Sequence, residues 1–257
     1  MPSNAGDERR RSILEWIRAD GRGDVAELAG RLHVAAETVR RDLQVLEDHG
    51  LVRRIHGGAY PTEGARFESS LTARAEQRVP EKRRISAAAV QHLDGAETVY
   101  LDEGSTLQLI ADQLIKLDQP LTVITPSLSA AAVLATAEAV SVILLGGRVR
   151  HRTLGTVDHW ALDMLSDLVI DLAILGANGI SVKHGLTTPD PAVCAVKSKA
   201  VRVSRRHLFT GVSTKFGVNS FCKFADVASF ETIVTDTGLS NHEAARYRAL
   251  GPQVIRV

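Results

Sequence analysis

The chain predicts an α/β protein in two parts: three short helices closed by a β-hairpin, then a mainly parallel α/β domain. Three observations predict this. Apolar residues recur at helical spacing from about residue 8 to residue 46, and a short alternating run ending in Gly57-Gly58 follows. From Thr98 onward, β-rich apolar runs alternate with amphipathic stretches, the pattern of a parallel sheet covered on both faces. Between these regions, residues 61–80 hold Pro61, Gly64 and Pro80 among charged residues and few large apolar ones. The expected division is 1–60, a linker over 61–80, and 81–257.

Each element has its own signal. The first helix spans roughly Glu8 to Ala19 with Ile13, Leu14 and Ile17 inward, and Asp20-Gly-Arg-Gly23 ends it. Asp24 caps the second, whose Val25, Leu28, Ala29 and Leu32 share one helical face. His33-Val-Ala35 turns into the third, with Val39, Leu43 and Leu46 inward and Gly50 as its stop. Leu51–Ile55 alternates as a strand, and His56-Gly-Gly58 returns the chain to Ala59-Tyr60. A helical piece is expected around Leu71–Gln77, and Pro80 suits the first turn of a helix running to about Leu93. Expected strands are Thr98–Asp102, Leu121–Thr125, Val140–Leu145, Asp171–Gly176, His207–Val212, Thr232–Thr235 and Gln253–Val257. Expected helices between them are Thr106–Ile115, Leu128–Thr136, Val157–Leu165, Pro191–Val203 and Asn241–Leu250, the last opened by the capping box Ser240-Asn-His-Glu243.

Bulk composition narrows the function classes. With 257 residues the chain can bury a sizeable core, and 44% apolar content argues against disorder. The net charge is only +1, so any surface for a polyanion must come from local arrangement. Even residues 1–56 carry ten Arg, no Lys and ten Asp plus Glu, so helical geometry has to separate the signs. Cys194 and Cys222 have no metal-ligand spacing and read as reduced thiols. The nine histidines form no ligand motif, so neither a metal nor a cofactor is expected. The N-terminus lacks the apolar run of a signal peptide, and no stretch reaches the 18 or so apolar residues of a membrane span. A cytoplasmic protein with no membrane partner is the expectation.

The third helix carries the chemistry of the first part. With Val39, Leu43 and Leu46 inward, Glu37, Arg40, Arg41 and Gln44 face outward. Arginine suits guanine or phosphate, glutamine adenine, and glutamate cytosine. Arg53, Arg54 and His56 on the hairpin are placed to meet a phosphate backbone or a minor groove. Asp42 lies at the flank of the buried stripe and has a structural job, orienting an arginine or bracing a neighbouring helix. An Arg-Arg pair alone is usually a solvated face. The combination of two short helices, a tight turn, a polar third helix and a wing is far more specific, and it points to double-stranded DNA. In the second part, Thr98–Asp102 runs into Glu103-Gly-Ser-Thr106 and then a helix. Gly104 allows close backbone approach, Ser105 and Thr106 offer hydroxyls, and free N–H groups at a helix start attract an anion, although the same residues make an ordinary cap.

These residues carry a resemblance. Thr38-Val-Arg-Arg-Asp-Leu43, Leu46-Glu47, Gly50-Leu-Val-Arg53 and His56-Gly-Gly-Ala59 resemble the N-terminal winged helix-turn-helix of the DeoR family of bacterial transcription regulators. Leu145-Gly-Gly-Arg148, Leu175-Gly-Ala-Asn-Gly179, His184-Gly-Leu186, Val196-Lys197, Lys215-Phe-Gly217 and Ile233-Val-Thr-Asp236 follow in an order similar to that family's effector domain. Phe67 and Arg74 also fit the pattern. The resemblance runs from about residue 8 to the end. It implies a fold like that of sugar-phosphate isomerases and a phosphorylated-sugar effector. It also implies a repressor of a sugar or carbohydrate operon, acting as a homo-oligomer, dimer or tetramer, on a DNA operator. It adds Thr38 to the DNA-contacting set. It gives the phosphate to Gly104, Ser105 and Thr106, and effector contacts to Asp102, Gly147, Arg148, Gly176, Asn178, Lys197 and Lys215. Lys197 and Lys215 also suit ordinary surface positions.

The chain departs from the family at four positions. Ala35 replaces the usual Ser near the start of the third helix, a loss of about 1 kcal/mol of capping. Pro126, Val193 and Val212 replace the usual Asn, Glu and Asp of the pocket. These exchanges suggest an effector that is less hydroxylated, differently placed or absent. Two alternatives to a ligand-released repressor follow. One is a sugar-phosphate isomerase with an appended helical module, with Asp102 or Glu103 as general base. The other is a DNA-bound oligomer with a degenerate pocket.

Overall fold

In a computed structural model of the chain, the residues described are 5–48, 52–55, 57–61 and 71–257. The chain divides into two compact units, Met1–Ser69 and Ser70–Val257. Gly50, Leu51, His56 and Phe67 lie outside the described residues.

The first unit contains α1 (Ala5–Asp20), β1 (Gly23–Asp24), α2 (Val25–Leu32), α3 (Ala36–Asp48), β2 (Val52–Ile55) and β3 (Gly58–Pro61). Ile13, Leu14 and Ile17 of α1, Val25 and Leu28 of α2, and Val39, Leu43 and Leu46 of α3 form one core with Val52 and Ala59. Asp24 caps α2 as expected, its Oδ1 accepting from the N–H groups of Ala26 at 2.8 Å and Glu27 at 3.2 Å. His33 ends α2 in the left-handed region at φ 53°. Gly23 does more than terminate α1. With Asp24 it forms β1, which pairs antiparallel to β3 and makes the wing three-stranded, in the order β1-β3-β2. A side chain at Gly58 would put its Cβ 2.1 Å from the Gly23 carbonyl oxygen, so the third strand requires glycine there.

The second unit opens with α4 (Leu71–Ala75) and α5 (Val79–Ala89), so residues 71–80 of the expected linker are built into this unit. Then come β4 (Thr98–Leu101), α6 (Ser105–Leu114), β5 (Leu121–Thr125), α7 (Leu128–Leu134) and β6 (Val140–Leu144). A small hairpin of β7 (Arg148–Val149) and β8 (Thr156–Val157) precedes α8 (His159–Ser166) and β9 (Ile170–Leu175). The chain continues through β10 (Gly179–Ser181), β11 (Gly185–Thr188), α9 (Pro191–Val203), β12 (Ser204–Thr210) and β13 (Cys222–Ala225). It ends with β14 (Thr232–Thr235), α10 (Asn241–Arg248) and β15 (Gln253–Arg256).

All seven expected strands form one sheet in the order β15-β14-β12-β9-β4-β5-β6, and every pair in it is parallel. Alternate residues feed two cores. Val99, Leu101, Leu172 and Ile174 join α5, α6 and α7 on one face. Tyr100, Ala173, Leu175 and Phe209 join α8, α9 and α10 on the other. Two features escape the sequence reading. One is the antiparallel sheet β10-β11-β13, and the other is the β7–β8 hairpin, which takes the first residue of the helix expected over Val157–Leu165.

The strand order positions the second unit's site. From β4 the chain moves outward to β5 and β6, then returns to β9 on β4's other side and moves the opposite way. The turns after β4 and β9 therefore diverge and leave a crevice at their carboxyl ends, where open α/β sheets bind ligands.

Candidate functional site

The first unit presents a polar helix face beside its wing. Hydrophobic spacing turns Val39, Leu43 and Leu46 into the core, so the intervening side chains point to solvent. The Arg41 side chain is 81% exposed and that of Arg40 is 56% exposed. Glu37 lies between them, 3.2 Å from Arg40 and 3.9 Å from Arg41. Gln44 is exposed and Thr38 is half-buried. Arg53 and Arg54 are exposed on β2, and the Arg54 guanidinium donates to the Gln44 side-chain carbonyl. The Arg54 backbone N–H donates to Glu47 Oε1 at 2.8 Å, which ties the wing to α3. His56, expected on the same hairpin, lies outside the described residues.

Asp42 has the bracing role its position suggested. It is buried, and it accepts from Arg9 Nε at 2.5 Å and from an Arg10 guanidinium nitrogen at 3.3 Å, linking α3 to α1. Its hydrogen bond raises the pKa of Arg9 above the ordinary guanidinium value. The two arginines of α1 thus compensate the buried acid, while those of α3 remain on the surface.

In the second unit, Asp102 ends β4 beneath the crevice. The Asp102 side chain is 1% exposed and that of Lys197 is 5% exposed, so a surface position for this lysine is excluded. Lys197 reaches from α9 to donate to Asp102 Oδ2 and, at 3.2 Å, to the Gly176 carbonyl. The Gly176 N–H donates to the same carboxylate oxygen at 3.0 Å. This junction closes β4, β9 and α9 on one another. Gly104 follows at φ 135°, a conformation suited to glycine, and α6 begins at Ser105 without a side-chain cap.

Above the junction lies a small cavity lined by Tyr100, Asp102, Lys197, Thr156 and, from the departing positions, Pro126 and Val193. Two buried polar atoms on this lining, the Tyr100 hydroxyl and Asp102 Oδ1, make no hydrogen bond. Burial, reinforced by the charges of Asp102 and Glu103, pushes the Tyr100 hydroxyl well above its usual range and keeps its proton in place. The cavity thus offers one donor and one acceptor in a wall that mixes Pro126, Val157, Val193 and Val196 with Glu103, Thr156 and Lys197.

The remaining expected contacts are distributed differently. Arg148 projects outward, its side chain 64% exposed and 2.9 Å from Asp158, beside an open cleft with Trp160 and Met164. Gly147 is a turn residue, since a Cβ there would meet the Val157 carbonyl at 2.1 Å. Asn178 turns toward β11, where Thr188 Oγ1 donates to its side chain at 3.3 Å. Lys215 is half-buried in a short 3-10 turn following β12. Val212 is buried with α6 in the core on the sheet's other face. The sequence reading missed Tyr100, Arg150 and Asp190, and it weighed Glu103 only as a base. Among the described residues, no group of three or more His, Cys, Asp or Glu is placed to hold a metal. No helix among them is long and apolar enough to cross a membrane.

Comparison with known proteins accounts for both units. Residues 9–63 match the model of the DeoR-like helix-turn-helix domain, and residues 77–237 match that of the DeoR C-terminal sensor domain. The HTH-type transcriptional regulator GlpR of Haloferax volcanii is 32% identical over 96% of this chain and 96% of its own. An uncharacterized HTH-type transcriptional regulator, FruR of Bacillus subtilis, is 31% identical over 89% of this chain and 90% of its own. The glycerol-3-phosphate regulon repressor of Escherichia coli is 28% identical over 89% and 90% respectively. Ribose 5-phosphate isomerase A from Neisseria gonorrhoeae aligns with 53% of each chain at 16% identity and a TM-score of 0.40, too loose a likeness to build on. With a reading unit and a sensing unit matched in order along one chain, this protein belongs to the DeoR family of transcription regulators.

Proposed function

We propose that this regulator represses a sugar or carbohydrate operon and leaves its operator when a phosphorylated sugar or similar small anion occupies the crevice between β4 and β9. In this reading residues 1–60 contact DNA, the expected connector over 61–80 is confined to the residues before Leu71, and the rest of the chain senses. Arg40, Arg41 and Gln44 address the major groove, with Glu37 and Thr38 beside them and Arg53, Arg54 and His56 on the flanking backbone. The protein works in the cytoplasm as a homo-oligomer, a dimer or tetramer, because one short recognition helix reads too few base pairs alone. A relative named for the glycerol-3-phosphate regulon supports the ligand class.

The observation that carries the sensing half is the pair of unpartnered buried groups, the Tyr100 hydroxyl and Asp102 Oδ1. A buried donor and acceptor without partners are costly, and a ligand hydroxyl that accepts from one and donates to the other relieves both. Release then follows from linkage: the ligand lowers operator affinity by the ratio of its affinities for the free and DNA-bound forms.

Gel shifts with DNA from upstream of the protein's own gene test the reading. The full chain is expected to retard that DNA in preference to random duplex, and one of glucose 6-phosphate, fructose 1-phosphate or glycerol 3-phosphate is expected to release it. Equal retardation of random duplex at moderate salt refutes the operator-binding half. A specific complex indifferent to all three refutes the sugar-phosphate half.

A further inference from the structure

Beside the crevice, against the lining residue Glu103, lies a guanidinium that its sequence neighbourhood does not advertise. Arg150, at the tip of the β7–β8 hairpin, has a side chain only 10% exposed. One of its nitrogens lies 3.3 Å from Glu103 Oε1 and donates to Thr153 Oγ1 at 3.0 Å. Its Nε lies 3.3 Å from Asp190 Oδ2. Three segments thus meet on one side chain: the turn after β4, the hairpin and the start of α9.

Glu103 stands immediately before Gly104 and the uncapped start of α6. Its side chain is 7% exposed, and it packs against the hairpin so closely that a Cβ on Gly155 would lie 1.7 Å from Oε2. The local charges are Asp102, Glu103 and Asp190 against Arg150 and Lys197, an excess of one negative charge. An incoming anion would deepen that excess unless it replaced a carboxylate already in place. Asp190 is poorly suited to leave, because its Oδ1 caps α9 by accepting from the N–H groups of Ala192 at 2.8 Å and Val193 at 3.3 Å. Among the described residues, the Glu103 carboxylate is bonded to Arg150 rather than to a helix start.

We propose that Arg150 is the anion-recognising residue of the effector crevice and that Glu103 is a built-in competitor for it. A phosphoryl group takes the guanidinium by displacing the Glu103 carboxylate and gains the α6 N–H groups beside it. Arg148, turned outward to Asp158, does not take this role. The proposal rests on the crevice being the effector site. It gives the two substitutions opposite signs, since an internal carboxylate competes at high effective concentration.

Calorimetric titration of the full chain with inorganic phosphate and with glucose 6-phosphate tests it. Glu103→Gln is expected to tighten phosphate binding about tenfold, and Arg150→Gln to weaken it by about tenfold or more. Arg150→Lys, which keeps the charge and loses the fork, falls between wild type and Arg150→Gln. Thermal melts report folding, and if Arg150→Gln gives no cooperative transition, Arg150→Lys and Glu103→Gln carry the test. Binding by Glu103→Gln no tighter than wild type, or wild-type affinity in Arg150→Gln or Arg150→Lys, overturns the proposal. So does failure of Glu103→Gln to bind either probe. Tightened binding without release from DNA would instead sink the repressor reading and leave Arg150 in its role.

Discussion

Arg41 and Arg150 illustrate two uses of the same side chain. Arg41 is 81% exposed and lies 3.9 Å from Glu37, itself 62% exposed, whereas Arg150 is 10% exposed between Glu103 and Asp190. Exposed ion pairs are worth little, about 0–1 kcal/mol, so an incoming anion can take Arg41 from its partner almost freely. Buried charges pay a large desolvation penalty and hold each other in place, so removing one partner is severe. The exposed face of α3 can therefore exchange partners without disturbing its fold. In the sensing crevice, a change of partner is a structural event.

The sharpest way to break this contrast is Lys197→Met, which leaves Asp102 charged and uncompensated at 1% side-chain exposure. Loss of about 3–5 kcal/mol in urea unfolding is expected, largely restored by adding Asp102→Asn. A loss below about 1 kcal/mol would mean the crevice is as well solvated as the reading face. Arg41→Ala should do the reverse. We expect operator affinity in gel shifts to fall by the equivalent of about 1–3 kcal/mol, with the melting temperature unchanged. An equal loss on random duplex would reassign the side chain to phosphates.

Lys82 sharpens the comparison with a buried cation whose neighbours are also cations. Burial first, then the charges of Arg74 and Arg78, lower its pKa to about 8. The unfolded chain holds this proton up to about 10.4. The folded state thus releases it first, and the group's contribution to stability rises with pH between those values. Measured against Lys82→Met, the wild type should gain on the order of 1–2 kcal/mol from about pH 8 to about pH 10. A difference that does not vary with pH would show the amine to be solvated. The smallest effect belongs to Ala35, whose carbonyl accepts from the Thr38 N–H at 2.9 Å at the opening of α3. Its methyl group offers no acceptor, so Ala35→Ser should raise the unfolding free energy of the first unit by about 1 kcal/mol, read by urea titration.

The central sheet was legible in the sequence because its strands β4, β5, β9 and β14 are mainly apolar runs of four to six residues, nearly all of them buried. The strands that escaped notice are short or lack alternation. Gly179–Ser181 and Gly185–Thr188 are rich in small residues, and β1, β7 and β8 have two residues each. The solvent-facing side of α3 was readable from helical spacing alone. The crevice was only half readable. Gly104–Thr106 and Asp102 announce themselves through a strand–turn–helix pattern. Arg150 does not, because its partner Glu103 lies 47 residues away and only the hairpin brings them together. Gly146-Gly147 drew attention to Arg148 instead, and nothing local in the sequence distinguishes which of the two arginines turns inward.

Asp190 divides its labour between its two oxygens, one fastening the first turn of α9 and the other gripping Arg150. Because both bonds come from one carboxylate, turning it away from Arg150 would also draw it off the first turn of α9. The hairpin and the helix start share a single mooring that neither can slip alone.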